Sequence, residues 1–484
     1  MDTASKIFCP IALASCIAVA ICIVTDNLIA AVCITLLPLL LIVIFASFIN
    51  RIYAFLLLFV INYFIPLVPH YANGQTLGVL MDAAIVFNLV AIVTSFLTEK
   101  HQLGNLSKEL IAVILVWGIY CLTEILNPRM IDTSAWMSSI RGMALYFLFI
   151  VILVQLSVKD FNGVRLILAV WSVLVLISFV KVLYQQLIGW TPGDVFFLNA
   201  MDGKRTHIIY YGTRYFSIFS DAANFGGSMG MASVVFLAAG THTKSLGKKL
   251  YYWIVAGTAI YGMFVSGTRS ALVVPVAGIL LYLALIRDIK KMIPVSLILA
   301  LAICFLAFTD IGGSYAVIRR ARTVFDREED QSYLTRKENQ AQLRELMKNL
   351  PMGNSLGMSA GRAHNYGDYS ALTEIPTDSW FVQVWVETGI IGQIIYFLMM
   401  GFIFIKGAII IFFRLKKPEI RGICAGMLAG VAGLFVMSSN NEVFTQFPNG
   451  IIVYTLIALV FMSEKLEKMQ EEDGIADNGQ LQCS

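Results

Sequence analysis

Long apolar stretches recur along the whole sequence, and their recurrence limits the possible folds more than any other feature. About fourteen of them have the roughly 17–25 residues that an α-helix needs to cross a bilayer. They lie near residues 8–24, 28–48, 52–69, 77–97, 109–127, 139–157, 163–185, 223–240, 250–266, 269–286, 291–308, 380–412, 419–438 and 449–463. The stretch at 380–412 is long enough for a helix that is kinked at its glycines. We therefore expect an all-α polytopic membrane protein with about 12–14 transmembrane helices.

The composition agrees with this class and excludes others. Of the 484 residues, 58% are hydrophobic and 14% are charged, whereas soluble domains carry about 25% charged residues. The net charge of +4 is spread over many loops and indicates no nucleic-acid partner. The sequence has no Asp-x-Asp motif and no His, Cys or Asp cluster with metal-ligand spacing. We therefore expect neither a metal nor a cofactor.

Basic residues predict the orientation of the helices. Lysines and arginines concentrate in short loops on one side of the predicted membrane: Arg51, Lys100, Lys108, Lys159, Arg165, Lys244, Lys248, Lys249, Arg287, Lys290, Lys291 and residues 414–421. The positive-inside rule places this side and both termini in the cytoplasm. The chain then divides into transmembrane helices (1–185, 223–308, 380–463), long extracytoplasmic loops (186–222, 309–379) and a cytoplasmic tail (464–484). The tail is charged and polar, and we expect it to be disordered.

Charged residues inside the apolar stretches gather toward the extracytoplasmic side. Asp82, Glu124, Arg141 and Lys181 each lie near the outer end of a predicted helix. A single charge of this kind is most simply explained by snorkelling to the lipid headgroups. Their shared position instead predicts a polar cavity that opens toward the outer leaflet.

Arg269 lies in the break SGTRS (266–270) between two apolar runs. A charge at the membrane edge is costly, so it is a candidate functional residue. The free N–H groups of a helix start and a guanidinium together form an anion site. The alternative is an arginine that snorkels to lipid phosphate, and spacing alone does not separate the two.

Two other external junctions have a similar design. RYFSIFSDAANFGG (214–227) ends the first long loop, and TDSWFVQVWVETGIIG (377–392) ends the second. Asp221 is most simply an N-cap, whereas Asp378 can both cap a helix and act as a base. Apolar positions of the second loop keep helical spacing and predict an amphipathic helix that caps the bundle. They are Leu343, Leu346, Met347 and Leu350.

These features together resemble the bacterial O-antigen ligase and O-antigen polymerase superfamily. The resemblance rests on the arginine, serine, aspartate and asparagine of 214–227, on S-G-T-R-S-A at a helix hairpin and on the second long loop. That loop adds Ser332 and Arg336, and P-x-G-x-x-x-G and E-T-G-I-I-G follow at 351–357 and 387–392. The similarity covers residues 205–400, and the first seven helices match only in being apolar.

The resemblance implies a metal-independent glycosyltransferase of surface polysaccharide (O-antigen or exopolysaccharide) biosynthesis in the bacterial cytoplasmic membrane, with its active site facing the periplasm. The donor would be a glycan on undecaprenyl diphosphate and the acceptor a sugar hydroxyl, with inversion at the sugar carbon. Arg214 and Arg269 match the family's arginine positions and would bind the diphosphate, because cations stabilise its developing charge. Arg336, Ser217 and Asn224 are further candidates for this site.

The general base is where the sequence departs from the ligases of the family, which carry His-Asn before this helix. Eleven residues before Gly389 the sequence has Asp378, and a His-Asn pair lies fourteen residues further upstream, at His364. Aspartate and histidine are both usual general bases. We prefer Asp378, because it stands at a helix start, and keep His364 as the alternative. The departure favours a polymerase over a ligase.

The residues that follow Asp378 are weaker candidates for chemistry. Glu387 lies nine residues beyond Asp378, and we expect it to hold a structural hydrogen bond or ion pair. Asn441 and Glu442, in the external loop SSNNEVF (438–444), rank below it.

Three functional classes remain open. The first is a polymerase that joins lipid-linked repeat units. The second is a ligase that moves finished glycan to lipid A-core or another acceptor. The third is a polysaccharide transporter or flippase, which is disfavoured because the sequence shows no internal repeat. The expected partners are the lipid-linked donor, the acceptor, the membrane and other polysaccharide-assembly proteins.

Overall fold

Long α-helices make up nearly all regular structure in the computed structural model, which describes residues 28–72, 74, 78–98, 106–209, 212–286 and 331–482 and scattered positions between 297 and 322. The helices of eight or more residues are α1 Leu28–Ile49, α2 Ile52–Phe64, α3 Gly78–Thr98, α4 Lys108–Thr123, α5 Thr133–Ile140, α6 Tyr146–Ser157, α7 Phe161–Leu187, α8 Pro192–Ala200, α9 Ala222–His242, α10 Leu246–Val265, α11 Val273–Ile286, α12 Gln331–Leu346, α13 Trp380–Ile409, α14 Pro418–Met437 and α15 Asn449–Gln482. A short antiparallel hairpin pairs β1 Ile208–Ile209 with β2 Gly212–Thr213.

The predicted all-α membrane fold is confirmed. In the described part of the chain, ten helical segments are long and apolar enough to cross a membrane. They are Ile52–Tyr71, Gly78–Leu97, Lys108–Leu126, Thr133–Ser157, Phe161–Leu187, Ala222–His242, Arg269–Ile286, Trp380–Arg414, Pro418–Met437 and Asn449–Glu471. Two further predicted stretches are the helices α1 and α10. The predicted helix at 8–24 lies outside the described residues, and only scattered positions of the one predicted at 291–308 are described.

The centre of the bundle depends on close helix packing. Helices α9 and α14 face each other through small residues, so that a side chain added at Gly426 would meet Ala238 and one added at Gly430 would meet Val235. Lipid tails are as apolar as the helices, and close approach of backbones therefore supplies much of the association energy. Helix α9 is enclosed on its other sides by α10 and α11.

Two helices depart from a simple span. Helix α13 is kinked at Gly389, whose φ of 65° and ψ of −171° are not helical, as the glycines in this stretch predict. Helix α15 continues to Gln482, although the composition of the tail predicts disorder. Its first polar turn is supported by Glu464, which accepts hydrogen bonds from Arg414 and Lys468, each at 2.9 Å.

The second long loop folds over the end of the bundle at which α9 and α13 begin. Helix α12 buries Leu343 and Met347 against Leu372 and Val386, so the predicted amphipathic cap is confirmed. Leu346, which the spacing places on the same face, is instead 40% exposed. We call this end of the molecule, with its connecting segments 188–221, 331–379 and 438–448, the loop face.

Candidate active site

Arg214 is held at the loop face by the hairpin and by the SGTRS turn. Its amide N donates to the carbonyl O of His207 at 2.7 Å. Its guanidinium donates to the carbonyl O of Thr206 at 3.1 Å and to Oγ1 of Thr268 at 2.9 Å. Thr268 in turn donates to the carbonyl O of Ala222, the first residue of α9. The two external segments that carry the predicted arginines are therefore joined in space.

The predicted arginines lie near one another, and Asp221 lies near Arg214. Burial lowers the pKa of Arg214, and the nearby carboxylate of Asp221 raises it. The positive charges of Arg269 and Arg336 lower this pKa further, so both guanidinium groups lie near Arg214. Arginine keeps its charge at neutral pH despite such shifts. The Nε–H of Arg214 is buried without a hydrogen-bond partner among the described residues. The cluster thus combines three positive charges with a buried donor that has no described partner, and an anion would satisfy that donor.

A cavity of about 310 Å³ opens beside this cluster, and we call it the charged cavity. Asp221, Arg336 and Asp378 line it from three separate segments. The other lining residues are Ala223, Ala360, Pro376, Thr377, Asn440, Asn441, Glu442, Val443 and Gln446. Asn441 also donates to Oγ of Ser270 at 2.5 Å, which ties the last external loop to the SGTRS turn.

Asp378 reaches the charged cavity through an unusual backbone conformation. Its φ of 54° lies in the left-handed region, which is uncommon for a residue other than glycine. Its Oδ2 accepts a hydrogen bond from Nδ2 of Asn339 on α12 at 3.0 Å. The N-cap position of α13 is occupied by Ser379, so the expected capping by Asp378 is wrong. The carboxylate is oriented by α12 instead.

A second cavity of about 400 Å³, which we call the polar cavity, adjoins the charged cavity. The two share Glu442 and Gln446. Glu442 accepts hydrogen bonds from Arg362 at 3.0 Å and from Oγ1 of Thr377. Burial raises the pKa of Glu442, against an opposing effect of Arg362. The sequence ranks Glu442 among the weakest candidates, because its place in a polar external loop is the only signal it carries.

Glu387 also lines the polar cavity, and it is fully buried. Its carboxylate accepts hydrogen bonds from the amide N of Gly357, from Oγ of Ser359 and from Nε2 of Gln383. The predicted structural hydrogen bond is therefore confirmed. These bonds connect α13 to the second long loop directly beneath the segment that carries Asp378.

A third cavity of about 530 Å³ also adjoins the charged cavity, and we call it the apolar groove. It shares Asp221 and Gln446 with the charged cavity. Its other lining residues are Ile65, Pro66, Pro69, His70, Gly78, Phe197, Met201, Ser220, Thr445 and Phe447. An apolar surface, a cationic cluster and a polar cavity are therefore contiguous at the loop face.

His364 lies apart from this arrangement. It belongs to the 3-10 turn Ala360–Tyr366, and its ring stacks on Tyr369 with the centroids 4.9 Å apart. Its Nε2 lies 3.4 Å from Oε1 of Glu374, which is largely exposed. The described residues that line the charged and polar cavities do not include His364. The structure therefore places Asp378, but not His364, in the cavity that Arg336 lines.

Ser217 and Asn224 are engaged by the protein itself. Both are fully buried. Oγ of Ser217 donates to the carbonyl O of Ser178 at 2.7 Å, which fixes the first long loop to α7. Nδ2 of Asn224 donates to the carbonyl O of Phe447 at 2.7 Å, and its Oδ1 accepts from Asn449 at 2.7 Å. The structure thus gives both side chains an anchoring position, and their contact with the substrate stays a prediction.

The charges predicted at the outer helix ends are paired with other residues or buried. Arg141 donates to Asp82 at 2.6 Å, and Lys181 donates to Asp194 at 2.8 Å. Glu124 is fully buried. A polar cavity exists at the expected end of the bundle, but other residues line it.

His207 connects the hairpin to α9. Its Nε2 accepts a hydrogen bond from the amide N of Ala222 at 3.1 Å, and its Nδ1 lies 2.8 Å from the carbonyl O of Gly203. This pair of contacts requires the neutral ring with the proton on Nδ1. Burial lowers the pKa of His207, against an increase from the bond to Gly203, and Arg214 lowers it again. Neutral His207 therefore supports the position of Arg214.

Residues 254–397 match the family model described as O-antigen ligase. The matched segment contains Arg269, Arg336, Asp378 and Glu387, whereas Arg214 precedes it. No curated protein matches the sequence. The family match and the sequence motifs thus point to the same superfamily.

Proposed function

We propose that this chain, a multi-pass membrane protein of the O-antigen ligase and polymerase superfamily, transfers a glycan from undecaprenyl diphosphate to a sugar hydroxyl at the outer face of the bacterial cytoplasmic membrane. Glycosyl transfer of this general kind is the activity of the superfamily. One observation carries the proposal: Arg336 and Asp378 line one cavity, and the charges of Arg269 and Arg336 both act on the nearby Arg214.

The arginine cluster suits the leaving group of this reaction. Negative charge develops on the diphosphate as its bond to the sugar breaks, and preorganised cations lower the barrier by stabilising that charge. Guanidinium groups pair with phosphate oxygens through two parallel hydrogen bonds. The buried Nε–H of Arg214, which has no partner in the described part of the chain, is one donor that such an oxygen would satisfy.

The apolar groove suits the lipid part of the donor. It meets the charged cavity at Asp221 and Gln446, so a polyprenyl chain in the groove would place its diphosphate beside the arginines. Burial of apolar surface contributes about 25 cal/mol per Å² to the binding free energy. This contribution is the same for the substrate and the transition state, so it supplies affinity but not rate. The rate then depends on the arginines.

Asp378 is the proposed general base. Its carboxylate takes the proton of the acceptor hydroxyl as that oxygen attacks the anomeric carbon of the donor sugar. The bond from this carbon to the diphosphate oxygen breaks, and the electron pair leaves with the diphosphate. Attack from the side opposite the leaving group inverts the carbon. The hydrogen bond from Asn339 positions the carboxylate for this step.

A polymerase is favoured over a ligase, because an acid stands where ligases of the family have histidine and because His364 lies outside the cavities. A ligase would share the donor site and differ in its acceptor. Gel profiles of surface and lipid-linked glycans, compared between the native host and a deletion strain, test the proposal. We expect the polysaccharide ladder to disappear while single repeats still reach the surface.

Two other profiles would contradict this expectation in different ways. A ladder that persists on the lipid carrier but no longer reaches its acceptor would identify a ligase. Donor trapped on the cytoplasmic face would refute the transferase and identify a flippase.

A further inference from the structure

We infer that the polar cavity binds the acceptor saccharide, as an uncharged, hydroxyl-rich sugar; this inference rests on the proposed transferase function. The polar cavity adjoins the charged cavity through Glu442 and Gln446. The apolar groove shares Asp221 and Gln446 with the charged cavity, and Thr445 and Gln446 with the polar cavity. A donor with its lipid in the groove and its diphosphate at the arginines leaves the polar cavity for the second substrate.

The lining of the polar cavity has the chemistry of a sugar site. Ser138, Ser139, Gln383 and Arg362 bring hydroxyl, amide and guanidinium groups to it, and Trp380 adds an aromatic wall. Binding sites for small molecules combine apolar and aromatic surface with a few placed polar groups, in volumes of roughly 300–1,000 Å³. The volume of about 400 Å³ falls within that range.

The charges of the cavity select against acidic sugars. Arg362 and Glu442 neutralise each other through their 3.0 Å ion pair. Glu387, by contrast, is hydrogen-bonded by the uncharged donors Gly357, Ser359 and Gln383. The remaining negative charge is unfavourable for a carboxylate on a uronic acid and favourable for neutral or amino sugars.

Gly142 offers a way to fill this cavity. It lines the polar cavity within the π-helical turn Arg141–Leu145, between α5 and α6. A Cβ added there would meet no described atom within 4 Å. Single π-turns inside α-helices are frequent at functional sites. A bulky side chain at position 142 should therefore occupy the cavity without colliding with the backbone around it.

The test compares Gly142→Phe with Gly118→Phe. Gly118, on α4, also has open space at its Cβ and lines none of the three described cavities. The purified full-length variants are given lipid-linked glycan extracted from host membranes as the donor. The acceptor is the repeat-unit oligosaccharide released from that lipid by mild acid. Product formation is read on gels, and retained donor lipid is read by mass spectrometry.

We expect Gly142→Phe to reduce transfer by roughly 10–100-fold, since misplacement of a reactant lowers the rate by about this factor. The variant should retain donor lipid at the wild-type level. Gly118→Phe should transfer normally. Gly142→Ala should raise the KM for the oligosaccharide by about tenfold, the lower end of the effect of one added carbon in a pocket, and leave kcat unchanged.

Three results would overturn the inference, and they separate it from the proposed function. Normal transfer by Gly142→Phe would show that the acceptor binds elsewhere, while the transferase proposal would stand. Loss of donor lipid together with transfer would assign the cavity to the donor glycan. Absence of transfer by the wild-type protein would refute the proposed function itself, and the acceptor assignment with it.

Discussion

Replacement of Arg214 by alanine is the most direct test of the arginine cluster. Two of the five N–H donors that a guanidinium carries are bonded to Thr206 and Thr268. Three donors therefore have no partner among the described residues and remain for a diphosphate, and they include the buried Nε–H. The substitution removes these donors and one full charge from the neighbourhood of Arg269 and Arg336.

The expected loss follows from these contacts. Removal of one preorganised donor from an oxyanion site lowers kcat by about 10²–10³, or about 2.7–4 kcal/mol. Because several donors and a charge are lost together, we expect a reduction near 10³ for Arg214→Ala. The cost in stability is smaller, about 1–3 kcal/mol for the lost hydrogen bonds, because Thr268 keeps its own bond to Ala222.

The assay measures transfer by purified protein and, in parallel, ladder formation in the complemented deletion strain. Arg205→Ala is the matched control, because Arg205 is an exposed arginine of the same loop, and it should behave as the wild type. Arg214→Lys keeps the charge but loses the planar fork, so it should give an intermediate rate. Wild-type transfer by Arg214→Ala, at normal protein levels, would remove the diphosphate clamp from the mechanism.

Three further predictions concern Asp378, Glu387 and His207. Asp378→Asn should lower transfer by about 10²–10⁴, the usual contribution of a general base, and by more than His364→Ala; the opposite ranking in the same assay would restore the histidine. Glu387→Gln should lower the Tm, because an amide nitrogen cannot accept the bonds that the carboxylate accepts, at a cost of about 1–3 kcal/mol; an unchanged Tm in a thermal-shift assay would contradict this. The pKa of His207 is lowered in the folded state, so the unfolded chain binds a proton more readily. The contribution of His207 to the free energy of unfolding is therefore present above about pH 6.5 and is lost as the pH falls, by at most about 1.4 kcal/mol per pH unit. His207→Gln should flatten this part of the stability profile, and a slope equal to that of the wild type would assign it to other groups.

The helices were predictable because a bilayer leaves the backbone few choices. In lipid, every N–H and C=O must be satisfied within the segment, so an apolar stretch of sufficient length must form a helix. The composition of the tail was a poorer guide. The charged residues after Ser463 suit a solvated coil as well as a helix, and the bonds of Glu464 to Arg414 and Lys468 decide between them locally.

The candidate site was predictable only in part. Arg269 stands out because an arginine between two apolar runs is costly, and the structure places its charge near Arg214. Ser217 also lies in an external loop and was a candidate for the same site. Its backbone has a φ of 55°, however, and its hydroxyl points into the bundle, where it donates to the carbonyl O of Ser178. A backbone direction of this kind depends on tertiary contacts, and the sequence does not reveal it.

The loop at 438–448 was ranked low because it connects segments that are distant in sequence. Asn441 bonds to Ser270 in the SGTRS turn, and Glu442 bonds to Arg362 and Thr377 in the second long loop. Such contacts leave no periodic signal. Because Glu442 and Gln446 line both the charged and the polar cavity, a substitution in this loop would disturb donor and acceptor together. Variants that separate the effects on donor and acceptor must therefore lie outside this loop, as Gly142 and Arg214 do.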